Sequence, residues 1–189
     1  MKMKRFLTLG VSLLVAVAAL AQEAPKKFGL KSGEFTSEMD MMGQKVVSTT
    51  YFAEYGNLQL TKMKMSMMGM DMDMGTLQRD GKTYMINYAE KTVQEMPAQA
   101  SINYMNLDDE TVAKYKVKAE GVEELAGKPC LIFTSEVEQM GQKAKTKASI
   151  WEGIPMKSVS SVMGMDIVNT VTEVKEYDVD PALFEVPTF

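Results

Sequence analysis

The sequence predicts an α+β fold that is mainly antiparallel β: about ten strands, with one short helical segment covering one face of a curved sheet. Three observations predict it. Glycine recurs at short intervals after residue 28. The stretches between glycines alternate in polarity or are rich in Val, Ile, Thr and aromatics, as half-buried strands are. One segment alone, "NLDDETVAKYK", breaks that rhythm with the charge order of a helix.

The first residues stand apart from the fold. Lys2, Lys4 and Arg5 precede an apolar run of about 15 residues and an Ala19-Leu20-Ala21 site, the pattern of a cleaved secretory signal over 1–21. The run is shorter than the roughly 20 residues that span a bilayer. No cysteine follows the site for lipid attachment, so the expected location is periplasmic or secreted. Residues 22–27 read as a flexible N-terminus and 28–189 as a single domain.

Strands are expected at 33–41, 45–52, 58–65, 70–79 and 83–88. The turns Met42-Gly43-Gln44, Tyr55-Gly56-Asn57 and Asp80-Gly81 punctuate them, with glycine supplying the positive φ of tight hairpins. A helical segment near 98–116 follows. Asp108 reads as its N-cap, with acidic residues in the first turn and lysines toward the end; Leu107, Val112 and Tyr115 read as its apolar side. Strands at 117–124, 131–138, 143–151, 156–162 and 167–177 complete the chain, with turns at Met140-Gly141-Gln142 and Met163-Gly164-Met165.

The stretch "KMKMSMMGMDMDMG" at 62–75 holds the strongest local pattern. Its methionines change parity at Met67-Met68, so a straight strand would throw the two halves onto opposite faces. A hairpin turning there removes the conflict. It pairs Lys62 with Asp73, Met63 with Met72, Lys64 with Asp71 and Met65 with Met70, so that Lys meets Asp on one face and Met meets Met on the other. Methionine is flexible and polarizable and suits surfaces that accept variable apolar shapes. The residues expected to line such a surface are Met63, Met65, Met70, Met72 and Met74, with Met39, Met41, Met163 and Met165 from similar pieces elsewhere. Trp151 is read as a core or rim anchor. A filled, Met-rich core without a ligand is the plain alternative. The other is Cu(I), which thioethers select, held by Met63, Met65, Met70 and Met72.

Composition narrows the function further. The chain has no histidine, which excludes Ser-His-Asp and Cys-His catalysis and removes the usual base near neutral pH. Adjacent carboxylates such as Glu123-Glu124 and Asp108-Asp109 read as solvated surface charge. No phosphate loop or zinc spacing is present, and Asp71 with Asp73 lacks the run of oxygen donors a calcium loop uses. The expectation is a protein that is not an enzyme and takes no cofactor. The signal carries three positive charges and no negative one, so the mature chain carries −7 rather than −4. Such a balance disfavours nucleic acid as a partner. Cys130 is the only cysteine; it reads as a small buried residue, and the fold rests on its core without a disulfide.

"GVEELAGKPCLIF", "ASIWEGIPMKSV" and "VTEVKEYDVDPALFEVP" complete the picture. With Tyr51-Phe52, Tyr55-Gly56, Gly127-Lys128, Cys130, the turn of Trp151, Gly153, Ile154 and Pro155, and the closing 184–187, they resemble the outer-membrane lipoprotein carrier (LolA/LolB-like) superfamily. The likeness is strongest to a secreted branch of unknown function and spans residues 28–187. It implies an incomplete antiparallel barrel, a half-barrel whose hollow is lidded by helices and accepts acyl chains. The partners expected are therefore a hydrophobic small molecule, a lipid or an acylated protein, with a ligand-free structural or assembly role in the cell envelope as the competing expectation.

Overall fold

The computed structural model describes residues 24–41, 44–67, 70–97, 101–139, 142–162 and 165–189. One antiparallel sheet of eleven strands organises them. They are β1 (Gly33–Met41), β2 (Gln44–Ala53), β3 (Leu58–Met67), β4 (Met70–Arg79), β5 (Lys82–Asn87), β6 (Thr92–Met96), β7 (Lys118–Leu125), β8 (Lys128–Gln139), β9 (Gln142–Trp151), β10 (Ile154–Val162) and β11 (Met165–Glu176). The spatial order is β6-β5-β4-β3-β2-β1-β11-β10-β9-β8-β7. Each strand therefore pairs with its neighbour in sequence, except that β1 joins β11 at the centre and β6 and β7 are the two free edges. The sheet stays open and curved, a half-barrel.

The expected elements are present with shifted ends, and β6 is an eleventh strand where none was predicted. The helix is shorter than expected: α1 spans Asp109–Tyr115. Asp108 caps it, its carboxylate accepting the Thr111 amide at 2.7 Å, which satisfies one of the donors a helix start leaves open. Leu107 and Tyr115 pack inward, whereas Val112 is exposed.

Three clusters make the core. Phe28, Phe35, Phe52, Cys130, Ile154, Met156 and Val171 form the central one. Phe28 meets Phe52 edge-on, with centroids 5.1 Å apart, an arrangement aromatic quadrupoles favour. Leu60, Leu77 and Ile86 form a second with Val179 and Phe184 of the C-terminal tail. Val117, Phe133, Ala148 and Ile150 form a third, against Ile102, Tyr104, Leu107 and Tyr115. Cys130 is wholly buried, as expected, and burial pushes its thiol up. The hydrogen-bonded body begins before residue 28: the Lys27 and Phe28 amides both donate to the Tyr55 carbonyl. Asn103 also donates to the Lys26 carbonyl.

Gly153 shows why one turn is sequence-bound. Its φ is +76°, and a Cβ there would collide with the Lys27 carbonyl. Only glycine satisfies both the left-handed turn and the close approach.

Candidate functional site

Register fixes which side chains share a face, because directly opposed residues of an antiparallel pair point the same way. On one face stand Phe35, Ser37 and Met39 of β1, Thr50 and Ser48 of β2, and Thr61 and Met63 of β3. Met74 and Thr76 of β4 and Met85 of β5 continue it. Across the centre the same face carries Asn169 and Ile167 of β11, Ser158 and Ser160 of β10, Ala148 and Thr146 of β9, and Phe133 and Ser135 of β8. Residues 101–104 border a cavity of about 190 Å³ together with Phe35, Gln59, Gln78 and Pro155. Tyr104 also packs against Phe133, centroids 5.2 Å apart and rings tilted by 37°. One short segment can reach β3, β4, β8 and β10 together only if the sheet curls around it, so this is the inner face.

The inner face is zoned along the strands. At one end lie the rings of Phe35, Phe52 and Phe133, covered by Phe28 and Tyr104. Next comes a belt of hydroxyls that bond across strands: Ser37 with Ser48 at 3.0 Å, Thr50 with Thr61 at 2.9 Å, and Thr146 with Ser160 at 2.9 Å. Ser37 and Thr50 are buried, so pairing removes a desolvation cost that would otherwise oppose folding. Ser135 Oγ closes no hydrogen bond. The neighbouring Tyr104 phenol is pushed up by burial.

The methionines begin level with the Ser37–Ser48 pair, since Ser48 opposes Met63 and Met63 opposes Met74, and Met39, Met65 and Met72 lie one step further along the strands. The β3–β4 register differs from the one predicted by two residues. Met63 opposes Met74, Met65 opposes Met72 and Met67 opposes Met70, while Lys64 opposes Asp73. The predicted pairs of Lys62 with Asp73 and Met65 with Met70 are thus corrected, although every side chain keeps its face, since a two-residue slip preserves alternation. Lys64 and Asp73 form an ion pair at 3.3 Å. Lys62, opposite Gly75, instead sits between the rings of Tyr51 and Tyr88, 5.9 and 5.7 Å from their centroids.

The structure brings Met63, Met65, Met72 and Met74 together and adds Met39 on the same face and Met85, which the sequence did not single out. Met63, Met65, Met72, Met74 and Met39 are half-buried, Met85 is exposed, and none belongs to the three clusters. Met165, at the start of β11, shares the face by alternation from Ile167 and is exposed at the rim. Met41 and Met70 hold strand positions opposite Gln44 and Met67. Met163 lies outside the described residues, as do the Met-Gly dipeptides at 42–43, 68–69, 140–141 and 163–164. Trp151 belongs elsewhere. It ends β9 at the aromatic end, packed on the central cluster, with the Lys128 ammonium 3.6 Å above its ring.

The outer face has different work. Over β3–β5 it buries Leu60, Leu77 and Ile86 under the C-terminal tail. Arg79 holds that tail, donating to the Phe184 carbonyl at 2.7 Å. Over β7–β10 a larger cavity of about 430 Å³ lies between Lys116, Lys118, Lys145 and Lys147, beside Glu136 and Val159. It is a shallow furrow between long lysine stems. Lys116 pairs with Glu136 at 2.5 Å and Lys147 with Glu120 at 3.4 Å, so its size reflects a solvated sheet surface rather than a built site. Among the described residues no three His, Cys, Asp or Glu side chains are grouped as metal ligands, and no helix is long and apolar enough to cross a membrane.

No family model and no curated protein sequence matches the chain. Solved structures do. An uncharacterized conserved protein from Thermus thermophilus aligns over 83% of this chain and 86% of its own, with a TM-score of 0.58 at 14% identity. A chain of the Pseudomonas aeruginosa MucA/MucB complex aligns over 82% of this chain, which spans 56% of that one, with a TM-score of 0.54 at 13% identity. A domain assigned as an outer membrane lipoprotein-sorting protein from Vibrio parahaemolyticus covers 82% and 89%, with a TM-score of 0.41 at 10% identity. These are likenesses of fold. Those of the Thermus protein and the MucA/MucB chain extend to the overall fold alone.

Proposed function

We propose that this is an exported, non-enzymatic binding protein whose inner face receives a hydrophobic chain, either a lipid or the acyl group of a protein partner. One observation carries the reading. Two opposed methionine pairs, Met63 with Met74 and Met65 with Met72, lie half-buried on the inner face outside the packed core, beside hydroxyls that satisfy one another. A core would use side chains with fewer rotamers. Methionine there keeps a wall that repacks around variable shapes.

The driving force is burial, about 0.8 kcal/mol for each CH₂ removed from water. The aromatic zone and residues 101–104 stop the trough at one end. The methionine zone, partly exposed, is where a chain enters. The secretory pattern at 1–21 supports delivery to the periplasm or beyond, and the likeness of fold to a chain of the MucA/MucB complex supports a protein as one kind of partner.

Native mass spectrometry of the protein purified from its own cell envelope tests this. The expected result is a co-purified species of acyl-chain mass, or 1:1 uptake of added fatty acid that raises the melting temperature. Purified protein that carries no such species and does not respond to fatty acid overturns the reading.

A further inference from the structure

We propose that the methionine ladder of β3 and β4 is a soft-metal site, in which Met63, Met65, Met72 and Met74 present thioether sulfurs to one monovalent d¹⁰ cation, Cu(I) or Ag(I). The register supplies the geometry. Met63 faces Met74 directly, and two residues along Met65 faces Met72. Opposed side chains leave their strands about 5 Å apart, and successive pairs on one face are separated by roughly 6.8 Å. Four flexible side chains rooted at the corners of that rectangle can bring their sulfurs to a point above its centre. Met67 and Met70 continue the ladder by one register pair.

The donor set selects the cation. Thioethers are soft and neutral, so they suit Cu(I) and leave a hard or doubly charged ion short of compensation. The charges of the same hairpin are spent on the other face: Lys64 and Asp73 neutralise each other at 3.3 Å, and Lys62 is turned to Tyr51 and Tyr88. No imidazole exists in the chain to hold Cu(II). Cys130 is buried in the central cluster with its thiol pushed up, which keeps a thiolate out of the donor set. Half-burial gives the ion access while removing competing water from the sulfurs. The step is coordination alone, with no electron transferred. It requires only the geometry of the ladder and does not depend on an apolar ligand.

The test is a titration of the whole exported protein with silver nitrate in chloride-free buffer, followed by calorimetry and native mass spectrometry. Cu(I) is titrated in parallel without oxygen against a chromophoric Cu(I) chelator. The proposal expects one tightly held ion per chain. It also expects a loss of roughly 100-fold or more in affinity when Met63, Met65, Met72 and Met74 become leucine, which matches the volume but donates nothing. Met85→Leu with Met156→Leu should bind as the wild type does. X-ray absorption at the metal edge of the wild type should show sulfur neighbours only, and this readout holds even if the fourfold variant does not fold. Absence of a 1:1 complex, undiminished binding by the leucine variant, or nitrogen or oxygen neighbours would overturn the proposal. The same leucine variant should still take up fatty acid, so failure of metal binding and failure of acyl binding are separately visible.

Discussion

Individual residues show where chemistry and conformation leave no choice. Lys62 and Lys64 are two positions apart and share a face, yet one is partnered by a carboxylate and the other by two rings. Their roles follow from register and not from type. Tyr177 is a second case. Its hydroxyl donates to Glu34 at 2.7 Å, and that bond pushes the phenol up to about 12. The folded chain holds this proton more tightly than the unfolded one, whose tyrosines titrate near 10. The contribution is therefore complete below about pH 10 and is lost as pH climbs from there to about 12. Tyr177→Phe should melt lower than wild type at neutral pH, and the gap should close over that alkaline window, as read by melting temperature against pH. Some residues were legible in sequence for physical reasons. Asp108 sits where only a cap fits, and Cys130 is flanked by apolar strand residues. The hydroxyl belt was not legible, because Ser and Thr are ordinary strand residues until a register shows that they face one another and are buried.

At the scale of elements, the hairpin of β3 and β4 explains both what could be read and what could not. Lys-x-Lys against Asp-x-Asp, with Met between, has two good solutions that differ by two residues. Both put every methionine on one face and every charge on the other. The pattern therefore determined the face and left the register to the connection. With β3 ending at Met67 and β4 starting at Met70, the pairing slides to Met63 with Met74. β6 escaped notice as an edge strand of five residues with little alternation to read. Val112 was misplaced because so short a helix offers too few turns to define a face. The C-terminal 3₁₀ turn (Pro181–Phe184) depends on a distant element: Arg79, the only arginine after residue 21, clamps its last carbonyl. Arg79→Ala should free that turn, so hydrogen exchange at the Leu183 and Glu185 amides should quicken and the melting temperature fall. Exchange in β8 and β9, far across the sheet, should not change.

For the molecule as a whole, the fold places two different surfaces on one sheet. The outer face is spent on stability and solvation, with the tail over β3–β5 and paired lysines over β7–β10. The inner face is divided into rings, hydroxyls and thioethers, and its methionine zone is left partly open. The fold class was readable because turns and alternation repeat along the chain. The zoning was not, since it needs β1 beside β11, a contact made by residues more than a hundred positions apart.

The central claim is that the methionine zone, and not the core, meets the ligand. Carbon-13 labelling of the methionine methyl groups reads it directly, with signals assigned by single Met→Leu variants and long-chain fatty acid as the probe. Resonances of Met39, Met63, Met65, Met72 and Met74 should shift together and saturate at one equivalent, while those of Met105 and Met156 stay in place. Shifts confined to Met156, or none on any inner-face methionine, would contradict it.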